Sequence, residues 1–185
     1  MTKEFSVNRL EIKAFAHQNA ALEGELPLGQ LARLLAEDQR GEAAAAEPVR
    51  WVLDGEWVES TGGPGQAWLH LHAETQVQLQ CQRCMRPVDV AVESSRSFRF
   101  VKDEATAAAL DDESEEDVLV LAPQIDALEL IEDELLMALP MVPMHEVCPV
   151  DVKLESATQD FDDRPAEKAN PFAALASLRI DKTQS

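Results

Sequence analysis

The stretch WLHLHAETQVQLQ (residues 68–80) alternates apolar and polar side chains, and VDVAVESSRSFRFV (residues 88–101) does the same. A period of two places alternate side chains on opposite faces of a β-strand. In the first run the leucines and the valine share one face, while the histidines and glutamines share the other. The two runs therefore predict two long antiparallel strands, each with one buried and one solvated face.

The seven residues CQRCMRP (81–87) separate these strands, which places Cys81 and Cys84 at the tip of a hairpin. His145 and Cys148 form a second closely spaced pair about sixty residues later, and the chain has no other cysteine. Structural zinc ions prefer four nitrogen and sulfur ligands in a tetrahedron. The pattern predicts one structural zinc site at Cys81, Cys84, His145 and Cys148. Unligated thiols and a redox pair at Cys81 and Cys84 remain alternatives, although a redox C-x-x-C usually opens a helix.

Upstream of the long strands, residues 50–53 and 56–59 are apolar-rich runs that flank Asp54-Gly55. Such a pair predicts a two-residue hairpin turn, and a second turn is predicted at 61–65. Leucines at helical spacing predict a helix over about 28–38. Residues 1–26 show no strong period, so we expect them to be irregular.

Downstream, residues 103–117 are predicted to form an acidic loop. Asp126 is predicted to cap a helix that ends before Pro140. Most of its large apolar residues share one face, but Leu130 and Met137 point the opposite way. Burial on both sides of the helix and a partner-binding groove are both compatible with this pattern.

These elements predict an α+β fold with a mainly antiparallel, barrel-like β-sheet core and a few packing helices. We expect one β-rich globular domain over 1–150, an acidic linker over 151–169, and a short helix over 170–180. Asn170-Pro171 is typical of a helix start. A helix this short is unstable alone, so it is expected to dock through its apolar residues Phe172, Leu175 and Leu178.

The net charge of −19 is concentrated in the second half of the chain. Residues 1–100 carry a net charge of −4, residues 101–167 carry −17, and residues 168–185 carry +2. A field of this sign repels nucleic acid and attracts basic proteins. Binding to RNA would therefore need a local basic face.

Two sets of charged or apolar residues are candidate contact surfaces. The basic residues near the hairpin are candidates for contact with RNA phosphates; they are Arg83, Arg86, Arg96, Arg99 and Lys102. The candidate partner-binding residues are acidic residues of the predicted loop and apolar residues of the two downstream helices. They are Asp111, Asp112, Glu113, Glu115, Glu116, Asp117, Leu130, Met137, Phe172, Leu175 and Leu178.

The sequence also indicates what to exclude. No run of about 18 apolar residues could span a membrane, and the N-terminus lacks the apolar core of a signal peptide, so we expect a cytoplasmic protein without a membrane partner. No phosphate-binding glycine loop or Ser/His/Asp arrangement is recognisable. We therefore expect neither an enzyme nor a small-molecule substrate.

Three separate motifs, taken in order, resemble a known family. The motifs are CQRC (81–84) at the end of a strand, IEDELLMALP (131–140) followed by His145 and Cys148, and NPFAALASL (170–178). Together they look like the YceD family, the large ribosomal RNA subunit accumulation proteins. The resemblance spans about residues 50–180.

The resemblance implies a non-enzymatic protein that supports the synthesis, processing or accumulation of large-subunit (23S) ribosomal RNA. It implies a mainly β fold with a few helices, and large-subunit ribosomal RNA or its precursor as a partner. Genes of the family typically neighbour one for a small basic large-subunit ribosomal protein, so an acidic chaperone for such a protein is the alternative. A zinc- or thiol-dependent redox protein is the second alternative.

Overall fold

The computed structural model describes residues 5–59, 65–111 and 114–152, and the side chain of Asp111 is not among the described parts. The fold comprises five β-strands and four α-helices within these residues, with short 3₁₀ turns at Val7–Arg9, Leu28–Gln30 and Gly41–Ala44. In chain order the elements are α1 (Ile12–His17), β1 (Ala21–Pro27), α2 (Ala32–Glu37), β2 (Pro48–Val58), β3 (Gln66–Gln80), β4 (Pro87–Val101), α3 (Glu104–Asp111), β5 (Asp117–Val120) and α4 (Ala127–Met137).

The strands form one sheet in the order β1-β2-β3-β4-β5. The first four strands are antiparallel neighbours, whereas β5 runs parallel to β4. The sheet is therefore mixed and open. The α+β class is confirmed, but the sheet does not close into the barrel that the sequence suggested.

Strands β3 and β4 confirm the two alternating runs, with a continuous register from Ala67–Phe100 to Gln80–Pro87. Odd-numbered residues of β3 such as Leu69 and Leu71 are buried. The other face carries polar groups, among them His70 and His72, which hydrogen-bond Ser97 and Ser95 across the strand pair. Helices pack on the apolar face, with α1 against β2 and β3 and α4 against β3 and β4.

The predicted turn at Asp54-Gly55 is wrong, because both residues lie inside the continuous strand β2. Gly55 is buried where α1 crosses the sheet, and a Cβ there would lie 2.6 Å from the Cδ1 atom of Phe15. Its N–H donates to the carbonyl of Ala20 at 2.8 Å. The glycine is therefore required for close helix–strand approach rather than for a turn.

The N-terminal segment is also more ordered than expected, since it supplies α1 and the edge strand β1. The strand pairs with β2 from Ala21–Asp54 to Pro27–Pro48. The helix predicted over 28–38 is present as a 3₁₀ turn and α2, separated by Leu31 with non-helical dihedral angles. Short elements of this kind have too few residues to show a clear hydrophobic period.

The predicted acidic loop over 103–117 contains α3 and the first residue of β5. Because β5 is parallel to its neighbour β4, the chain needs a crossover between them, and α3 lies within that crossover. The first turn of α3 is supported by Asp103, whose carboxylate accepts from the backbone and hydroxyl of Thr106.

The predicted helix after Asp126 is confirmed as α4. The Asp126 side chain accepts a hydrogen bond from the N–H of Leu128 at 2.9 Å. Ile131 and Leu135 are fully buried beneath the helix. Leu130 is partly buried against the core, whereas Met137 is 77% exposed. Two-sided burial therefore describes Leu130 but not Met137.

Candidate metal centre

The first half of the site is the tight turn between β3 and β4. The N–H of Cys81 donates to the carbonyl of Arg86 at 2.9 Å, and the N–H of Met85 donates to the carbonyl of Cys81 at 2.8 Å. Met85 has a φ of 59°, which is uncommon for a residue with a side chain. The turn lets both thiols of Cys81 and Cys84 approach the same point.

The second half comes from the segment that follows α4. The carbonyl of Pro143 accepts from the N–H of Gln82 at 2.9 Å, which joins this segment to the hairpin tip. Pro143 itself is buried. Two residues later His145, and then Cys148, lie beside the thiols of the tip.

The four side chains meet in one cluster, with one ligand atom of each within 4.8 Å of all the others. The Sγ atoms of Cys81 and Cys148 are 4.0 Å apart, and Cys84 Sγ lies 3.4 Å from His145 Nδ1. A tetrahedral zinc ion separates two of its sulfur ligands by about 3.8 Å, and a sulfur from a nitrogen by about 3.6 Å. The geometry therefore suits a metal ion with three sulfur ligands and one nitrogen ligand.

Backbone amides favour the thiolate form of Cys81. Burial opposes ionisation, but N–H groups of His145, Cys84 and Arg83 hydrogen-bond the sulfur and lower the pKa of Cys81 to about 5. In contrast, burial raises the pKa of Cys84, and the neighbouring Cys148 and Cys81 thiols raise it further. Metal binding requires thiolates, so the amides around Cys81 favour the form of this side chain that binds a metal.

The side chain of Arg83 closes the cluster from the hairpin tip. Its Nε donates to Cys148 Sγ at 3.0 Å, and its Nη2 donates to the carbonyl of His145 at 3.0 Å. The bond to Cys148 raises the pKa of the arginine further above its ordinary value. Arg83 thus places one positive charge beside three thiols and anchors the segment that carries two of the ligands.

The five basic candidates for RNA contact do not form a single patch. Arg83 is engaged with the cluster, Arg96 pairs with Glu134, and Arg99 pairs with Glu116. Lys102 lies near Asp103 and remains well exposed. Arg86 and Lys102 stand at opposite ends of β4, which at about 3.3 Å per residue is a separation of roughly 50 Å. The five cations are therefore near one another in the sequence but spread out along the structure.

The acidic candidates for partner binding are only partly described. Asp111 ends α3, Asp112 and Glu113 lie outside the described residues, and Asp117 begins β5. Glu116 is half-buried in its pair with Arg99, while Glu115 is exposed. Most of the predicted linker, from residue 153 onward, and the predicted C-terminal helix with Phe172, Leu175 and Leu178 lie outside the described residues, so those assignments stay predictions.

The structure adds a buried acidic residue, Glu132, that the sequence analysis did not single out. Glu132 is buried, and its carboxylate accepts from the N–H groups of Arg33 and Leu34 at the start of α2. It also binds the guanidinium of Arg33 at 2.8 Å. The sequence signal that could have indicated burial of Glu132 is its position directly after Ile131, which lies on the apolar face of the predicted helix.

Within the described ranges, no helix combines the length and the apolar character that crossing a bilayer requires.

Comparison with known proteins decides the family. The family model for the large ribosomal RNA subunit accumulation protein YceD matches residues 69–179, which is more than half of the chain. The chain belongs to the YceD family. The match begins in β3 and includes all four residues of the Cys/His cluster, but it does not reach β1 or β2.

One curated YceD protein is similar over much of the same length. It is the large ribosomal RNA subunit accumulation protein YceD of Haemophilus influenzae, which is 36% identical over 105 residues. The aligned part covers 56% of this chain and 60% of the relative. No solved structure gives a significant match.

Proposed function

We propose that this protein is a non-enzymatic factor in the biogenesis of the large ribosomal subunit, where it supports the synthesis, processing or accumulation of 23S ribosomal RNA. Membership of the YceD family carries the proposal, because the family and its Haemophilus influenzae relative are named for large ribosomal RNA subunit accumulation. The closed Cys/His cluster agrees with a structural role, since four protein ligands leave no position for a substrate.

The ion that we propose for the cluster is one structural zinc. Three sulfurs and one imidazole nitrogen are the donor set that structural zinc prefers, and the ligand separations match a tetrahedron. Bound there, zinc would supply a cross-link between the hairpin tip and the segment after α4. Neither Cys81 nor Cys84 opens a helix, so the arrangement lacks the setting in which redox C-x-x-C pairs usually work.

A second candidate function is an acidic chaperone for a basic large-subunit ribosomal protein. From Asp103 to Val152 the sequence has fifteen acidic residues and no lysine or arginine. This charge attracts a basic protein and repels RNA. Direct RNA contact instead depends on a few separated cations such as Arg86 and Lys102. The charge distribution therefore favours a protein as the immediate partner and RNA accumulation as the consequence.

Deleting the gene tests the first proposal. We expect the ratio of 23S to 16S ribosomal RNA to fall, and expression of the intact protein to restore it. An unchanged ratio, measured in growing cells alongside the profile of ribosomal subunits, would overturn the proposed function.

A pull-down with and without ribonuclease separates RNA contact from protein contact. If a basic ribosomal protein remains bound after ribonuclease treatment, the chaperone mode is supported. If large-subunit RNA precursors co-purify and ribonuclease removes all bound proteins, direct RNA contact is supported. In that case Arg86→Glu with Lys102→Glu should abolish RNA association. Arg83 is unsuitable for this test because it also anchors the Cys/His cluster.

A further inference from the structure

Six large apolar side chains are exposed on the hairpin tip, at the end of α4 and on the segment that follows it. They are Met85, Met137, Met141, Val142, Met144 and Val147, which we call the methionine patch. Met141 is 97% exposed, Val147 82% and Met137 77%. Among the described residues, the other exposed large hydrophobic side chains are Val150, three residues after Val147 in the chain, and Val58.

The composition of the patch is as unusual as its exposure. Apart from Met1, every methionine of the chain lies in it. Methionine is unbranched and polarisable, so it adapts to apolar partners of different shapes and is enriched on binding surfaces. Concentrated exposed apolar surface on a soluble protein marks an interaction site.

The backbone beneath the patch is fixed by specific contacts. The segment after α4 contains no helix or strand through Val152. It is held instead by the bond from Gln82 to Pro143, by the bonds from Arg83 to the His145 and Glu146 carbonyls, and by the Cys/His cluster. The apolar side chains are therefore presented outward by an anchored loop.

Charge indicates the kind of partner. The chain from Asp103 to Val152, which carries all of the patch except Met85, has no lysine or arginine. Exposed Glu146 and Asp151 lie within or beside the patch. The exposed cations at the hairpin tip are Arg83, which is bonded to Cys148 and His145, and Arg86. A second copy would bring another net charge of −19 to the same surface, and the repulsion disfavours that occupant.

We propose that the methionine patch is a docking surface for a basic protein segment that presents apolar side chains on one face. The partner's apolar residues bury the methionines and valines, while its lysines and arginines meet the surrounding acidic field. The inference rests on the proposed function, because it assigns a surface to the protein partner of that process.

Binding of a defined peptide tests the surface directly. The probe is a fluorescent fourteen-residue amphipathic helix of leucine and lysine, titrated against the full chain with zinc supplied. One comparison peptide replaces each lysine with glutamate, and another replaces each leucine with serine. We expect the leucine–lysine peptide to bind at least tenfold more tightly than either comparison peptide.

Substitutions on the protein locate the binding. Met141→Ser combined with Val147→Ser should weaken the leucine–lysine peptide by at least tenfold, because two large apolar contacts are lost. Val58→Ser is the matched control, since Val58 is an exposed apolar residue at the end of β2, and it should leave the affinity unchanged. Circular dichroism checks that each variant retains its sheet.

Three results would overturn the proposal. The first is equal binding by wild type and the double variant, and the second is concentration-dependent self-association that only the double variant loses. The third is binding of an RNA oligonucleotide that the double variant alone abolishes. The ratio of 23S to 16S ribosomal RNA in cells carrying the double variant separates the two proposals. If that ratio is normal while deletion lowers it, the proposed function stands and the docking surface does not.

Discussion

The four-stranded antiparallel part of the sheet and the segment after α4 are held by different kinds of interaction. The sheet buries side chains such as Leu53, Leu69 and Leu71 along its whole length. The segment from 138 to 152 has almost no buried apolar side chain of its own and depends on a few anchoring contacts at the hairpin tip. Stability is distributed in the first region and concentrated in the second, so substitutions in the two regions should behave differently.

Removing the proposed zinc should have the largest effect, and the effect should be confined to the segment. Structural zinc contributes about 10–16 kcal/mol in isolated peptide sites. With Cys84→Ser, we expect loss of zinc stoichiometry and rapid proteolysis between α4 and residue 152, while the circular dichroism of the sheet persists. Elemental analysis and limited proteolysis are the measurements. A variant that keeps its zinc and its protease resistance would contradict a structural site.

The Cys84→Ser variant also tests the alternative that Cys81 and Cys84 form a redox pair. If Cys84→Ser abolishes a thiol–disulfide exchange activity while zinc content and protease resistance are unchanged, the cysteines serve redox chemistry. Treatment with a chelator is the matched control, because it removes the metal without changing a thiol.

In the sheet, Leu69→Ala should destabilise the whole domain by about 2–5 kcal/mol, because it leaves a cavity in the buried face of β3. In the segment, Met141→Ser should change the unfolding free energy by less than about 0.5 kcal/mol, since the side chain is almost fully exposed. Urea unfolding measures both. Similar losses for the two variants would show that the segment packs more extensively than its exposure indicates.

An intermediate effect is expected where α4 meets α2. Glu132→Gln should cost about 1–3 kcal/mol, because a buried carboxylate that accepts two backbone N–H groups and an arginine loses its charge. Asp133→Asn is the control, since Asp133 pairs with the same Arg33 at the surface and such pairs are worth about 0–1 kcal/mol. Equal losses of unfolding free energy in the two variants would mean that the buried hydrogen bonds of Glu132 contribute no more than a surface ion pair.

The last expected effect is dependent on pH and concerns Asp38. Burial raises the pKa of this carboxyl, but hydrogen bonds from the side chain of Arg40 and the N–H of Gln78 outweigh it and hold the pKa below its ordinary 3.8. A lowered folded-state pKa contributes stability above pH 3.8 that is lost as the pH falls through the folded value. The stability difference between wild type and Asp38→Asn should therefore shrink on acidification below about pH 4. A constant difference down to pH 2 would contradict this assignment.

Long periodic elements were predictable and short ones were not. The runs at 68–80 and 88–101 gave two strands with the correct faces because each contains several repeats of the period. Asp54-Gly55 was misread as a turn because the same dipeptide suits a hairpin and a close helix contact, and only Phe15 packed against Gly55 distinguishes them. The helix α1 and the strand β1 were missed because six or seven residues give a weak pattern.

For the candidate site, residue types and spacing predicted the four members but not how they meet. The sequence could not show that Pro143 binds Gln82, nor that Arg83 faces the cluster instead of solvent. The sequence analysis grouped five cations as one candidate RNA-contact surface, but the extended strand β4 places them far apart along its length. The methionine patch was not recognised as a unit, although five exposed apolar residues within Met137–Val147 were readable in the chain.

Local sequence patterns were enough to predict the alternating strands, the hairpin tip with its two cysteines, the capped helix α4 and the acidic second half, because each depends on neighbours along the chain. The three-dimensional structure was needed to show that the sheet stays open with β5 parallel at its edge, that Glu132 is buried, and that His145 and Cys148 reach the hairpin tip. Those outcomes depend on contacts between residues about twenty to one hundred positions apart, and no local pattern encodes which distant side chains will pack together.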